Sequence, residues 1–461
     1  MSFNKKTDNI LFIDLPPSTI YENVAVSHKG INYIRSYLFQ NEIKNDCYVL
    51  DYDYLHEIYY NHMIIASKSL KEKIFSNKNK EELTKTVKTI LIPKLKEYNV
   101  LAFSLFLYDS YLMFELLFEI LEQEIDISKF KIIIGGNYLR FPNVSEKFTK
   151  YTKYICTKYG EQYFQKLYDL PDFKMYSYNQ YIEPKDIIRY RDHFHISDKI
   201  ITPITVFFSD SCINHCYFCI NAIRNEHLSY RGIDDTIREI IYFKKLKIPH
   251  FVLDCENLPS NYKVVNKFTS KLQLINRDNS ITWTANFSPF NEHNLSYKNL
   301  DMKQLFKSGC VLLIMGIESF SETVRLKLGK PTYTNKELFE FFDFALDIGF
   351  KLEINLFTGF FTETREDYDE AYIELKKCLE KYSSRIWKTT VSIYDILHEE
   401  ETGYWYNGEK IEYDKKGYWQ YNDNTFEERK YRWNKFYDLI DTFDIPTRQN
   451  FKINKKEVTI L

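Results

Sequence analysis

Short apolar runs, each followed by a stretch with helical spacing, recur along this chain and restrict its fold more than any other feature. Ile10–Asp14 is the first, closed by the turn pair Pro16-Pro17. Tyr48–Leu50, Val100–Leu105, Lys131–Gly136 and Tyr154–Thr157 follow, the fourth ending in Gly135-Gly136 and the fifth leading into Gly160-Glu161. Between them, Ile31, Ile34, Tyr37 and Leu38 share one face of a helix expected over 30–39, and 111–121 is strongly apolar and helical. The charged stretch 55–97 is expected to be a helical insertion. Brief apolar runs bounded by turn signals suit buried strands, and strands alternating with helices imply a parallel sheet. The fold class expected is therefore α/β, beginning with a doubly wound parallel sheet over 1–170. Its ligands would lie at the carboxyl ends of its strands.

Residues 171–200 are polar and irregular and read as a linker, in which His193 and His195 are solvated. Strand-then-helix spacing resumes over 201–395, with expected strands at Ile204–Phe208, His250–Leu253, Ile281–Asn286, Val311–Met315, Leu352–Phe357 and Thr389–Tyr394. Six such units form a partial (β/α) barrel with its chemistry at the carboxyl ends of the strands. The last part, 396–461, is small and aromatic-rich, with one helix expected over 425–439. Its Tyr- and Trp-rich stretch 404–421 is expected to cap the barrel or face substrate. With 38 Tyr and 36 Phe against 13 Gly in the whole chain, compositional bias is the competing explanation.

Lys+Arg number 62 and Asp+Glu 64, a formal net charge of −2, so no basic field points to nucleic acid or acidic lipid as a partner. No stretch reaches the ~18 uninterrupted apolar residues of a membrane span. The nearest, 99–121, is broken by Asp109, Glu115 and Glu119. The amino-terminal apolar run is too short for a signal peptide. A cytoplasmic protein without a membrane partner is expected, and in that compartment clustered cysteines indicate metal or redox chemistry.

Of the 8 cysteines, Cys47, Cys156, Cys255, Cys310 and Cys378 are scattered, whereas Cys212, Cys216 and Cys219 form C-x3-C-x2-C directly after an expected strand. Three thiolates on one short loop can hold three corners of a [4Fe–4S] cluster, and without a fourth nearby cysteine one iron stays open to chelate a small molecule. Zinc is the alternative, with His215 as an extra ligand, although structural zinc usually takes paired C-x2-C ligands. Three uninvolved core thiols are the remaining reading.

The sequence resembles the radical S-adenosylmethionine (SAM) superfamily, whose motif is C-x3-C-x-aromatic-C, here with Phe218 at the aromatic position. Downstream, Ser229-Tyr230-Arg231 resembles the stretch leading to the first barrel helix, and Gly316-Ile317-Glu318-Ser319 the G-x-E-S segment ending the fourth strand. Gly359-Phe360-Phe361-Thr362-Glu363-Thr364 resembles the G-F-P-G-E-T turn after the fifth strand, with Phe361 and Thr362 in place of Pro and Gly. Lys330-Pro331-Thr332 falls where the subfamily often has a Lys-Gly or Lys-Pro turn. The resemblance implies a [4Fe–4S] cluster held by Cys212, Cys216 and Cys219 and S-adenosyl-L-methionine bound by Phe218, Glu318 and Ser319. Cleavage of S-adenosylmethionine to a 5′-deoxyadenosyl radical is the activity it implies. Asp254 and Glu256, ending the second strand, and Asn286, ending the third, are candidates for the same rim by position, against ordinary solvated strand ends.

The first 170 residues resemble the cobalamin-binding-type domain that precedes many radical SAM barrels. The Pro16-Pro17 turn, Ser104, Gly135 and Gly136 are expected at the corrin, glycines at strand ends allowing close approach of a flat ligand. The family's D-x-H-x-x-G signature is absent, so no axial histidine is expected. Cobalamin implies methylation of an unactivated carbon in a peptide or natural product. A domain that keeps the fold without cobalamin leaves epimerisation, cross-linking or rearrangement of a peptide or metabolite, with Cys255 or Cys310 as hydrogen donors in the first case. A non-catalytic iron–sulfur protein is the reading from another class. The expected partners are the small-molecule or peptide substrate and an electron donor such as flavodoxin or ferredoxin.

Overall fold

The strand runs of the sequence assemble into two parallel sheets in a computed structural model that describes residues 3–15, 29–60, 67–106, 108–140, 144–157, 159–171, 204–219, 228–245, 247–290, 297–394, 412–414 and 418–447. Pro16, Pro17, His193, His195, nearly all of the linker and 404–411 lie outside the described residues. Two compact units emerge: Met1–Ile196 with Leu397–Lys410 and Asp414–Tyr418, and Ser197–Ile396 with Ile411–Tyr413 and Trp419–Leu461.

In the first unit, strands β1 (Asn9–Asp14), β2 (Lys44–Val49), β3 (Val100–Ser104), β4 (Lys131–Gly135) and β5 (Tyr154–Ile155) form a parallel sheet in the order β2-β1-β3-β4-β5. The chain reverses its direction of travel between β1 and β3, which makes their carboxyl ends the switch-point crevice of a doubly wound sheet. Ile10 to Ile13 and Val100 to Phe103 are buried on both faces, which is why these strands read as unbroken apolar runs. Strand β2 starts earlier than its apolar pattern implied. It is an edge strand, and its polar Asp46 is met by Lys94 at 2.7 Å and Arg35 at 3.6 Å. The charged insertion is helical as expected, as α2 (Asp53–Tyr60), α3 (Ser67–Ile74) and α4 (Asn77–Thr86). Helix α4 runs on through a π-turn, Val87–Leu91, to Leu95, with Pro93 just past the turn. The remaining helices are α1 (Lys29–Gln40), α5 (Tyr108–Glu124) and α6 (Gly160–Tyr168). Gly160 lets α6 close onto α1, because a Cβ there would overlap Ile34.

In the second unit, β6 (Ile204–Phe207), β7 (His250–Asp254), β8 (Thr282–Asn286), β9 (Cys310–Glu318), β10 (Lys351–Thr358) and β11 (Ile386–Ile393) are all parallel and lie side by side in chain order. Helices α7 (Ile233–Lys245), α8 (Tyr262–Ile275), α9 (Met302–Lys307), α10 (Glu322–Lys327), α11 (Asn335–Ile348) and α12 (Arg365–Tyr382) provide the crossovers. This is an open six-stranded partial barrel, with functional groups expected at the strands' carboxyl ends. Thr334 with Glu337 and Thr364 with Asp367 form capping boxes that start α11 and α12 just past that rim. A last helix, α13 (Phe426–Asp441), covers the edge strand β11: Trp433 and Tyr437 both donate to the Val391 carbonyl, at 2.8 and 3.0 Å. Among the described residues no helix is long and apolar enough to cross a membrane.

Candidate active site

The cysteine loop leaves β6 through a short antiparallel pair, Ser209–Asp210 with Ser229–Tyr230, that ties its two ends together. Ser211, just before the first cysteine, has φ 67°, a left-handed conformation uncommon for a residue with a side chain and often found at functional turns. The loop is pinned by Cys219 N–H to the Cys216 carbonyl and by Tyr217 N–H to the Leu328 carbonyl, both 2.9 Å. The Asn214 N–H points at Cys212 Sγ, 3.4 Å away. Cys216 is buried, and Cys212 and Cys219 are half-buried. Burial pushes the Cys212 thiol up, with Cys219 and Glu256 adding to the effect. Burial likewise pushes Cys216 up to about 12, opposed by Lys330 but reinforced by Cys219, Cys212 and Glu318. Among the described residues no three His, Cys, Asp or Glu side chains, the three cysteines included, form a group that could hold a metal ion.

Facing the loop is the end of β9. Its pairing with β10 shifts register between Gly316 and Glu318, and Glu318 has φ 67°. That kink turns the Glu318 carboxylate back over Gly316, where any Cβ would overlap Oε1. The Lys330 ammonium donates to the Gly316 carbonyl and to Glu318 Oε1, the latter at 3.2 Å, with the two side chains 9% and 16% exposed. Burial works against that charge, but Glu318, Tyr333 and Cys216 carry the Lys330 pKa above the ordinary lysine range. The same ammonium lies 5.9 Å from the Phe218 ring, which meets Phe357 of β10 edge-on at 5.4 Å. Gly329, with φ 67°, leaves room for the Tyr217 ring. Sequence reasoning placed Lys330 in a turn and missed it as a site residue. Only the approach of that turn to the cysteine loop reveals it.

The other candidates sort by position. Ser319 is buried, and its hydroxyl accepts from Ser321 N–H at 3.1 Å within its own turn. Asn286 bridges strand ends by donating to the Cys255 carbonyl at 3.2 Å. Asp254 closes β7, its carbonyl accepting from Phe208 N–H at 2.9 Å. Cys310 begins β9 at its amino end, roughly 25 Å of strand from the rim at ~3.3 Å per residue, and so cannot serve there as a hydrogen donor. Cys255 is a buried thiol aimed at the Leu253 carbonyl, 3.6 Å away.

Past β10, the Glu363 carboxylate is buried. It accepts from Gly359 N–H at 3.1 Å, Thr358 Oγ1 at 3.2 Å and Arg432 of α13 at 2.8 Å. Burial raises the Glu363 pKa and Arg432 opposes it. A cavity of about 10 Å3, room for one water, lies between Glu318, Ser319, Phe357, Glu363 and Phe436.

In the first unit, Ser104 ends β3 and is buried, and Gly135 ends β4. Both glycines have a packing explanation. A Cβ at Gly135 would sit 3.2 Å from Cys156 Cβ, and one at Gly136, with φ 112°, would overlap the Leu105 backbone. The turn at the strand ends thus requires glycine at 136 and leaves little room for a side chain at 135.

The family model of the radical SAM superfamily matches residues 206–375, spanning the cysteine loop, Glu318, Lys330 and Glu363. That stretch is a radical SAM domain. Its α/β architecture, a five-stranded parallel sheet followed by the six-stranded radical SAM sheet, recurs in solved structures at low identity. The radical S-adenosylmethionine methyltransferase TsrM from Kitasatospora setae, solved with cobalamin and a [4Fe–4S] cluster, is 9% identical. That match covers 85% of this chain and 75% of that one at TM-score 0.55. The cobalamin-dependent S-adenosylmethionine radical enzyme OxsB, solved with aqua-cobalamin and S-adenosylmethionine, is 14% identical. There the match covers 94% of this chain but 56% of that one, at TM-score 0.56. No curated protein matches the sequence.

Proposed function

We propose that this chain is a radical SAM enzyme in which Cys212, Cys216 and Cys219 hold a [4Fe–4S] cluster with one open iron. The observation that carries the reading is the cysteine loop, tied by Tyr217 to the Leu328 carbonyl and lying under the Lys330 ammonium through Phe218, with Glu318 bonded to that ammonium at the carboxyl rim of the second sheet. The donor set fits: three thiols on a pinned loop, with a lysine ammonium as the nearby cation. When bound, such a cluster supplies an electron to the sulfonium of S-adenosylmethionine and cleaves it reductively.

The protein's own residues bind and orient. Lys330 offers a buried ammonium, and Glu318 a carboxylate, for the zwitterionic end of S-adenosylmethionine. Phe218 and Phe357 provide an apolar wall for its nucleoside. Asp254 and Asn286, at neighbouring strand ends, are positioned for substrate or for the same zwitterion. The electron would come from a small redox protein of the flavodoxin or ferredoxin kind.

For the first unit we propose cobalamin at the β1/β3 crevice, beside Ser104 and Gly135, and methyl transfer to an unactivated carbon of a peptide or natural product. The parallel order β2-β1-β3-β4-β5 and the likeness to TsrM and OxsB support this. The second reading is a cobalamin-free radical modification of a peptide or metabolite, in which Gly135 and Gly136 serve packing and the turn alone. Equilibrium binding of hydroxocobalamin to the intact chain separates them. Binding with a base-off cobalt(II) electron paramagnetic resonance (EPR) spectrum supports methyl transfer, and no binding at high micromolar cobalamin leaves the second reading.

A further inference from the structure

The turn after β10 departs from the pattern it resembles, because Phe361 and Thr362 stand where Pro and Gly are expected. A proline would lock φ, and without it the shape of the turn must come from elsewhere. The tail of the same unit supplies it. The Asn424 side-chain amide, 5% exposed, donates to three successive carbonyls of the turn: Gly359 at 3.2 Å, Phe360 at 2.8 Å and Phe361 at 3.4 Å. Gly359, with φ 81°, lies against the stem of Arg429, which a Cβ there would strike. The Arg429 guanidinium sits 3.6 Å from the Trp419 ring and donates to the carbonyls of Asn424 and Trp419, both at 2.8 Å. Arg432 pairs with Glu363 with both side chains 4% exposed, and Glu363 in turn accepts from Gly359 N–H. Phe361 lies against Tyr421, ring centres 4.1 Å apart.

The held turn is continuous with the site. Phe357, the residue before Thr358, contacts Phe218 of the cysteine loop on one side and Tyr394 on the other, and Tyr394 meets Trp419 at 6.1 Å. Tail, turn and cysteine loop are thus joined through aromatic contacts and buried hydrogen bonds. A surface helix needs no such arrangement: α13 reads as charged, yet Arg429 and Arg432 are buried.

We propose that Asn424, Arg429 and Arg432 form a positioning clamp, by which the tail holds the Gly359–Glu363 turn and Phe357 in the shape that binds the nucleoside of S-adenosylmethionine. The inference rests on the functional reading above. These are positioning residues, acting through the turn.

The test uses the full chain, anaerobically reconstituted, with variants Arg432→Met, Asn424→Ala, Arg432→Lys and Glu363→Gln. Three readouts are taken: iron per chain, hydrogen exchange of the Gly359 to Glu363 amides, and the concentration of S-adenosylmethionine that half-saturates the change in the EPR spectrum of the reduced cluster. Arg432→Met and Asn424→Ala are expected to keep their iron, lose turn protection and raise the half-saturating concentration about tenfold, since small misplacements of a binding wall are costly. Arg432→Lys should recover part of that loss, and a Glu363→Gln/Arg432→Met double variant should be no worse than the poorer single one. Should Arg432→Met fail to fold, Glu363→Gln, which keeps the volume but removes the charge that pairs with Arg432 and one of the two oxygens that accept from Gly359 N–H, carries the same expectation. Iron-loaded variants that respond to S-adenosylmethionine like the wild type would overturn the clamp, as would loss of iron in every variant. A wild-type protein that does not respond at all would overturn the functional reading instead, and the exchange data would still report on the clamp.

Discussion

Replacing Lys330 by Met removes an ammonium and keeps most of the side-chain volume. The cost follows from what is left behind: the Gly316 carbonyl loses a charged donor, and Glu318, 16% exposed and held in a left-handed backbone conformation, loses its cation. Hydrogen bonds to charged groups contribute about 1.5–3 kcal/mol each. Glu318 keeps some hydration, so its bond belongs at the low end, about 1.5 kcal/mol, and the sum is about 3–4.5 kcal/mol. For a unit of about 150–250 residues, each kcal/mol shifts Tm by about 2–4 °C, so the melting point should drop by roughly 6–18 °C. Glu318→Gln keeps an acceptor for Lys330 and should cost less. Anaerobic thermal unfolding of both variants measures the structural part, and titration with S-adenosylmethionine the functional part. The half-saturating concentration should rise at least tenfold in Lys330→Met while iron content holds, each factor of ten corresponding to about 1.4 kcal/mol. A Lys330→Met protein that melts within a degree of wild type and binds S-adenosylmethionine normally would refute the placement of the ammonium in the site.

Gly316→Ala puts a Cβ into Glu318 Oε1 and should displace that carboxylate, weakening S-adenosylmethionine binding at unchanged iron content; equal binding would show that Glu318 does not contribute. Gly136→Ala combines a left-handed φ with a clash against the Leu105 backbone and should destabilise the first unit by about 2 kcal/mol or more in urea melts, cobalamin or none. His250, bonded to Thr282 at 2.8 Å, is lowered to about 4 by burial from an ordinary value of 6.5. The unfolded chain therefore binds the proton first, and stability should decline as pH falls from about 6.5 toward 4, by up to about 3 kcal/mol. His250→Gln should flatten that slope, and a slope unchanged by the substitution would assign it elsewhere.

The interior strands were legible because their burial on two faces writes unbroken apolar runs, as in Val100 to Phe103 and Ile132 to Ile134. The cysteine loop was legible because three thiols in eight residues have few ordinary explanations. Strand β2 was less so, since at this edge Lys44 is exposed, Asn45 meets Arg35, and Asp46 is met by Lys94 and Arg35. The last residues of β9 were missed because Gly316 reads as a terminator, and a bulge with positive φ at Glu318 leaves no periodicity. Lys330 and Arg432 act across 12 and 69 residues of chain. Local sequence shows each only as a solvated charge.

Iron and acid-labile sulfide in the anaerobically purified chain, with the EPR spectrum of its reduced form before and after S-adenosylmethionine, test the central claim most directly. Wild type should hold about four irons and four sulfides and change its spectrum on adding S-adenosylmethionine, with 5′-deoxyadenosine formed under reduction. Cys219→Ala should lose both the response and the product. Stoichiometric zinc without broad visible absorbance, or a cluster whose spectrum ignores S-adenosylmethionine, would contradict the account.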